Sequence, residues 1–282
     1  MTKYAAPPNG RAVERLADAM IGQMAPHANP PLAEGTHLQS YRIDRLLAAG
    51  GFSCVYLAHD ASETPVAIKE YRIVEDDAAK LNHAMRFFLE EGRALARLSH
   101  PNVVRVLDLF RANGTVYLVM RYEQGRSLQE QLADRRGPPD EAWLRKTFGE
   151  LLNGLHEVHS NGLVHLDIKP ANIYLRDDGT PLLIDFGSAR QTLSGEGLQR
   201  PRAYTPGFAA PEQHTRRHAL GPWSDIYSVG ASMYAALCGS TGFSAQLLDI
   251  IDQCLRLDPG ERPQSALALQ QSLLAEQTQE SH

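Results

Sequence analysis

Apolar and polar positions along the chain fall into two regimes. Between Tyr41 and Glu123 short apolar-rich runs predict β-strands: Tyr41-Arg42-Ile43, Val55-Tyr56-Leu57, Val66-Ala67-Ile68, Val103 to Phe110 and Thr115 to Tyr122. The last two are joined by Ala112-Asn113-Gly114, a hairpin-turn sequence. One helix is predicted among them, over about residues 78–98, with Phe87, Glu91, Ala94, Leu95 and Leu98 on a recurring face. Beyond Gly125 the spacing becomes helical. Leu144, Phe148, Leu151, Leu152, Leu155 and Val158 mark one long helix with a buried face. Ser224 is a candidate cap for a second, through Ile226, Val229, Met233 and Leu237. Arg262-Pro263 precedes a final helix, with Ala266, Leu267, Leu269 and Leu273 as packing positions. The pattern predicts a small sheet carrying one helix, followed by a larger, mainly helical half.

Residues 1–35 stand apart. Pro7, Pro8, Pro26, Pro30 and Pro31 punctuate them, and Val13, Leu16, Ala17, Met20, Ile21 and Met24 form one apolar stripe of a predicted helix over 11–24. Two readings stand: an ordinary helix packed on its own domain, or a helix that receives a regulatory partner. The expected organisation is 1–35 as an extension, 36–123 as a sheet-bearing lobe, 124–276 as a helical lobe and 277–282 as a polar tail.

Composition narrows the chemistry. The 282 residues are 43% hydrophobic and 22% charged, ordinary for a soluble globular protein, and the formal net charge is -5. That balance argues against a nucleic-acid partner, so any recognition of phosphate must be local. No apolar run is long enough to predict a membrane span, and the first residues lack the apolar core of a signal peptide. Cys54, Cys238 and Cys254 are widely spaced and odd in number. They read as small packing residues in a reducing, cytoplasmic compartment.

Four separated segments carry residues suited to a nucleotide triphosphate. Ala48-Ala49-Gly50-Gly51-Phe52-Ser53-Cys54-Val55 joins two predicted strands with small residues that let backbone N–H groups approach phosphates. Lys69 ends the run Val66-Ala67-Ile68 and needs a carboxylate to hold its ammonium; Glu91 is available on the predicted helix. His165-Leu166-Asp167-Ile168-Lys169-Pro170-Ala171-Asn172 places a carboxylate, an amine and an amide in one loop. There Asp167 is suited to accept a hydroxyl proton, Lys169 to neutralise a moving phosphoryl group and Asn172 to bind a metal. Asp185-Phe186-Gly187 follows a strand-like Leu182-Leu183-Ile184 and offers a second oxygen ligand for a cation.

With these segments in this order, residues from about 41 to 275 resemble the eukaryotic-like protein serine/threonine kinase family, and most of all its bacterial branch. The resemblance implies an α+β, two-lobed kinase fold: a small antiparallel sheet lobe with one main helix, and a larger, mainly helical lobe. It implies transfer of the γ-phosphoryl group of ATP to Ser/Thr hydroxyls of proteins, autophosphorylation included, in signalling, with Mg²⁺ as the metal and Mn²⁺ as an alternative. Lys69 would grip the α/β-phosphates and pair with Glu91; Asp167 would be the catalytic base; Asn172 and Asp185 would bind two Mg²⁺ ions. Met120 falls at the gatekeeper position, which makes 121–123, with Arg121 and Glu123, the adenine-binding hinge. Ala48, Gly50, Gly51, Ser53, Val55 and Ala67 would line the nucleotide, and Tyr174 would form an aromatic floor under the adenine or turn its ring aside. Thr205, in Thr205-Pro206, would bond to Asp167 and Lys169. Ala210-Pro211-Glu212 matches the Ala-Pro-Glu signature, with Glu212 paired to Arg262. Asp225 and Gly230 match the Asp and Gly of the family's buried central helix.

Three departures qualify these implications. Of the three glycines in G-x-G-x-x-G only Gly50 is present, since Ala48 and Ser53 replace the others; restricted positive φ there predicts weaker ATP binding. Leu166 replaces the arginine that precedes the family's catalytic Asp and receives a loop phosphate, which predicts activity without loop phosphorylation. The interval from Gly230 to Arg262 is shorter than in the family, so a substrate-docking helix and loop are expected to be missing. Two other functions fit parts of the chain. A pseudokinase, binding nucleotide or acting as a scaffold, would suit Ala48 and Ser53 but not the retained Lys69, Asp167, Asn172 and Asp185. A small-molecule kinase would suit neither Lys169 nor Ala210-Pro211-Glu212.

Overall fold

The computed structural model describes residues 30–50, 53–72, 89, 92–93, 95–134, 139–186, 190–191, 205–215, 219–238 and 242–275. The expected helix over 11–24, the polar tail, and Gly51, Phe87, Glu91, Ala94, Gly187, Thr192 and Ser194 lie outside them. The described residues divide into two compact units: those up to Ser99 with Val104–Glu123, and His100–Val103 with those from Gln124 onward.

The first unit is built on β1 (His37–Leu38), β2 (Tyr41–Ala49), β3 (Ser53–His59), β4 (Pro65–Tyr71), β5 (Val106–Ala112) and β6 (Thr115–Arg121). They form one six-stranded antiparallel sheet in the order β1-β2-β3-β4-β6-β5. Strand alternation sends Ile43, Tyr56, Ile68, Phe110, Tyr117 and Val119 into one buried layer. The hairpin between β5 and β6 turns on Asn113 and Gly114, with φ of 49° and 74°. Two consecutive positive φ values match the twist of the flanking strands. The expected strand from Val103 divides: Val103 bridges Leu183 in the second unit, and β5 begins at Val106. The chain is drawn away at Asn102, whose carbonyl accepts the Leu183 N–H at 2.8 Å and whose side chain donates to the Pro181 carbonyl at 2.7 Å.

The second unit opens with β7 (Gly125–Ser127) and α1 (Leu128–Asp134), followed by α2 (Glu141–Ser160). Asp140 caps α2 by accepting the Trp143 N–H at 2.7 Å. All six stripe positions of this helix, Leu144 through Val158, are buried; each fully buried side chain is worth about 1.5–3 kcal/mol. Next come β8 (Leu163–Val164), a single 3₁₀ turn (Pro170–Asn172), β9 (Ile173–Arg176), β10 (Pro181–Leu183) and β11 (Arg190–Gln191). Strands β10-β9-β7 form one small sheet, and β11 pairs with β8. Gly125 is required where β7 meets β9: its φ is 150°, and a Cβ there would lie 2.1 Å from the Leu175 carbonyl oxygen.

The rest is helical: α3 (Pro211–His214), α4 (Pro222–Leu237), α5 (Ala245–Cys254), a 3₁₀ turn (Pro259–Glu261) and α6 (Ala266–Leu274). Helix α4 starts two residues before the expected cap. Ser224 sits inside its first turn and accepts the Gly221 N–H at 3.3 Å. Between the end of α4 and Arg262, α5 is the one α-helix among the described residues. In α6, Ser265 caps the helix, and Ala266, Leu269 and Leu273 are buried. Leu267 is exposed instead of packed, because it falls on the solvent side of this short helix. Cys54 and Cys254 are buried, and burial pushes the Cys254 thiol up to about 12. Cys238 departs from the packing expectation and is exposed at the end of α4.

Candidate active site

In the second unit, the loop between β8 and the first 3₁₀ turn is built around a fully buried histidine. His165 Nε2 faces the Ile184 carbonyl at 3.2 Å, while Nδ1 accepts the Asp167 N–H at 3.3 Å. These partners select the tautomer with its proton on Nε2. The ring lies against Phe186, with centroids 4.4 Å apart. Leu166 then takes a left-handed backbone, φ 63°, unusual for a residue with a Cβ. Three bonds enforce it. Asp225 accepts the N–H groups of Leu166 at 2.7 Å and His165 at 2.8 Å, and Gln213 donates to the Leu166 carbonyl at 2.9 Å. The Leu166 side chain is buried with Val164 and Leu220.

Asp225 is the anchor of this arrangement. It is fully buried in the first turn of α4 and also bonds His159 Nε2 at 2.8 Å. Burial alone would push its carboxyl up, but the His159 bond, the nearby imidazoles and the His165 N–H hold it below the ordinary carboxylate range.

Past the left-handed turn, Asp167, Lys169, Asn172 and Thr205 converge. Lys169 Nζ donates to Asp167 Oδ2 and to Thr205 Oγ1, each at 2.8 Å, and the Thr205 hydroxyl donates to Asp167 Oδ1 at 3.0 Å. Asn172 Nδ2 donates to the Asp167 carbonyl at 2.8 Å and to Oδ2 at 3.0 Å. With its NH₂ so engaged, Asn172 keeps its amide oxygen, a hard donor suited to Mg²⁺. Asp185 lies two residues beyond β10, exposed and with φ 59°. The preceding Ile184 N–H donates to the Asn172 carbonyl at 3.1 Å, tying the backbones of these two oxygen-bearing residues together. Among the described residues no three His, Cys, Asp or Glu side chains group as a metal cage. Two oxygen-bearing residues still fit Mg²⁺, which completes its shell with phosphate and water. Behind the loop, Glu212 and Arg262 form a buried bidentate pair at 2.7 and 3.0 Å, and Ser224 donates to Glu212 at 2.8 Å.

In the first unit, Lys69 is 6% exposed on β4, opposite Val55 of β3 and Leu118 of β6. Ala67 lies two residues away opposite Met120, so Val55, Ala67, Lys69 and Met120 share one face of the sheet. Gly92 packs on the same face: a Cβ there would meet Leu109 and Leu118 at 3.3 Å. Ala48 pairs with Val55, and the Gly50 N–H donates to the Ser53 carbonyl at 2.8 Å. Neither Ala48 nor Ser53 has a positive φ; both lie in strands. Their Cβ atoms therefore impose no backbone strain here, contrary to the reason given for expecting weaker ATP binding. Arg121 ends β6, and Glu123 is half-buried two residues beyond. Tyr174 belongs to the second unit, half-buried on β9 between Leu182 and Ser127. Sequence reasoning missed Gln213, whose bond to Leu166 exists only in the folded chain.

A protein kinase domain profile matches residues 41–247. CBL-interacting protein kinase 4 of Oryza sativa subsp. japonica is 35% identical over 77% of this chain and 48% of its own. The DNA damage-responsive serine/threonine-protein kinase RqkA of Deinococcus radiodurans is 34% identical over 76% of this chain and 32% of its own. Among solved structures, the apo form of PpkA-294 aligns with a TM-score of 0.75 at 30% identity, covering 86% of this chain and 99% of that one. The chain thus spans half or less of the length of these curated relatives. No helix among the described residues is long and apolar enough to cross a membrane. The chain belongs to the protein kinase domain family, and its two-lobed domain is a serine/threonine protein kinase domain.

Proposed function

We propose that the protein transfers the γ-phosphoryl group of ATP to serine and threonine hydroxyls of protein substrates. The observation that carries this reading is the triangle of Asp167, Lys169 and Thr205, with contacts of 2.8 to 3.0 Å. Oδ2 of Asp167 accepts from Lys169 and Asn172, whereas the Thr205 bond leaves Oδ1 a second lone pair, which an incoming hydroxyl can use. Asp167 takes the proton of the substrate hydroxyl. Lys169, held against Asp167, offsets negative charge on the phosphoryl group as it moves. Thr205 fixes the Lys169 ammonium from the second side. Asn172 and Asp185 hold Mg²⁺, which when bound neutralises phosphate charge. In the other unit Lys69 contacts the α/β-phosphates with Glu91 as its partner, and Val55, Ala67 and Met120 line the adenine side with Arg121 and Glu123. Leu166 among Val164 and Leu220 supports activity without loop phosphorylation. Three free cysteines support a reducing, cytoplasmic location. The test is incubation with labelled ATP, Mg²⁺ and a generic basic protein, then mapping of the labelled residues. Label on Ser or Thr that vanishes in Asp167→Asn supports the reading; ATP binding without any transfer rejects it.

A further inference from the structure

Lys69 and Glu70 are consecutive on β4 and therefore face opposite sides of the sheet. The Glu70 side enters the layer of Ile43, Ile68, Phe110 and Val119, and Glu70 is 3% exposed. A carboxylate there is costly unless donors meet it. Two do, from the strands on either side of β4. Tyr56 of β3 donates to one carboxylate oxygen at 2.5 Å, and Tyr117 of β6 donates to the other at 2.9 Å. Burial and the Glu70 bond push the Tyr56 phenol up, and burial does the same for Tyr117, which keeps both as O–H donors. The Tyr56 oxygen in turn accepts the Leu32 N–H at 3.1 Å, and the Tyr117 oxygen accepts from Asn113 at 3.3 Å.

An apolar side chain would fill this layer at no desolvation cost, and a buried charged group is weak evidence for stability. What the carboxylate adds is direction. Two hydroxyls from separate strands converge on it and fix the rotation of β4 about its own axis. Because adjacent side chains share that rotation, fixing Glu70 on one face fixes the origin of Lys69 on the other. We infer that Glu70, clamped by Tyr56 and Tyr117, is a positioning residue for the nucleotide lysine. The network also takes in the chain that enters the sheet, through the Leu32 amide.

This inference rests on the reading of Lys69 as the phosphate-gripping lysine, and the experiment separates the two. Tyr56→Phe, Tyr117→Phe and their combination keep the packed rings and remove the hydroxyls, with their bonds to Glu70 and those they accept from Leu32 and Asn113. Each is compared with wild type for melting temperature, for direct binding of Mg·ATP, and for KM(ATP) and kcat on a basic protein. Lys69→Met tests the underlying reading. Ile43→Val, which thins the same layer on β2, is the reference for plain loss of packing. The double tyrosine variant is expected to raise Kd and KM for ATP about threefold to tenfold, with kcat changed less. Ile43→Val should lower the melting temperature without that rise. If the tyrosine variants melt earlier but keep wild-type ATP affinity, or if Ile43→Val weakens ATP as much, Glu70 is merely structural and the inference is overturned. If Lys69→Met retains wild-type kcat/KM for ATP, the reading of Lys69 falls, and the inference falls with it.

Discussion

Asp225 holds Leu166 in its left-handed turn: the carboxylate, fully buried on α4, accepts the Leu166 amide at 2.7 Å while Leu166 stands at φ 63°. The turn aims Asp167 toward Lys169 and Thr205, so the orientation of the proposed base depends on a residue far away in sequence. Leu166 and His165 donate to different Asp225 oxygens, so Asp225→Asn would remove the charge and set an NH₂ group against one of the two backbone N–H donors. Each bond to a charged acceptor contributes about 1.5–3 kcal/mol. The variant should lose roughly 3 kcal/mol or more of stability, read by denaturant unfolding, and kcat should fall more than ATP affinity.

The same carboxyl gives a pH signature. Its ionisation is held below the ordinary range in the folded protein. Its contribution is therefore fully present above the unfolded value, about 3.9, and is lost as pH falls through the lower folded value. The stability gap between wild type and Asp225→Asn should be widest near neutrality and narrow in acid below about pH 4. Melting profiles of both proteins across that range measure it; a gap that grows in acid would contradict the assignment.

Gly230 makes a prediction about packing. A Cβ at this position of α4 would lie 2.4 Å from the Cβ of Cys254 on α5. Gly230→Ala should therefore destabilise by about 1–3 kcal/mol, the usual cost of overpacking. Because the clash is with Cβ and not with sulfur, Cys254→Ala should not relieve it, whereas Cys254→Gly should restore part of the melting temperature. Equal rescue by both would show that α4 and α5 separate freely.

The contrast between legible and illegible parts has a physical basis. Helix α2 was readable because its six buried positions repeat along twenty residues, and the Asp167 to Asn172 loop because its chemistry is contiguous. Strands β1, β7, β8 and β11 are two or three residues long, too short for an alternation to show. Ser224 resembled a cap because Ser commonly is one; in the fold it accepts the Gly221 N–H and donates to Glu212. Nothing in the sequence singles out Glu70. Only the pairing of β3, β4 and β6 reveals that two tyrosines meet it.

Asp167→Asn isolates the proposed chemical step. The substitution keeps the side chain's size and an oxygen for Lys169, but removes the charge that takes the proton. Loss of a general base costs about 10²–10⁴-fold in rate. Single-turnover rates should fall by that order, while Mg·ATP binding by calorimetry stays near wild type, since a group acting mainly in the transition state affects rate more than binding. Transfer at the wild-type rate would remove Asp167 from the mechanism.

The last prediction concerns control. An arginine before the catalytic Asp would offer a fork for bidentate bonds to a phosphate on the following segment. Leu166 offers none, and its side chain is 1% exposed in an apolar cluster with Val164 and Leu220. The loop at this point is instead held by contacts within the fold: the two N–H bonds to the Asp225 carboxylate, the Gln213 bond to the Leu166 carbonyl, and the pairing of β11 with β8. None of these needs a phosphate to form. The enzyme should therefore be active without phosphorylation of Thr192 or Ser194. Phosphatase treatment, confirmed by mass spectrometry, should leave the initial rate on an exogenous substrate nearly unchanged, and Thr192→Ala and Ser194→Ala should each keep most activity. A drop of tenfold or more, about 1.4 kcal/mol in barrier terms, would reject this and require another phosphate receptor. Thr205→Ala makes the contrast. Its hydroxyl bonds both Lys169 and Asp167, so that variant should lose activity whatever the phosphorylation state, and phosphatase treatment should change it no further.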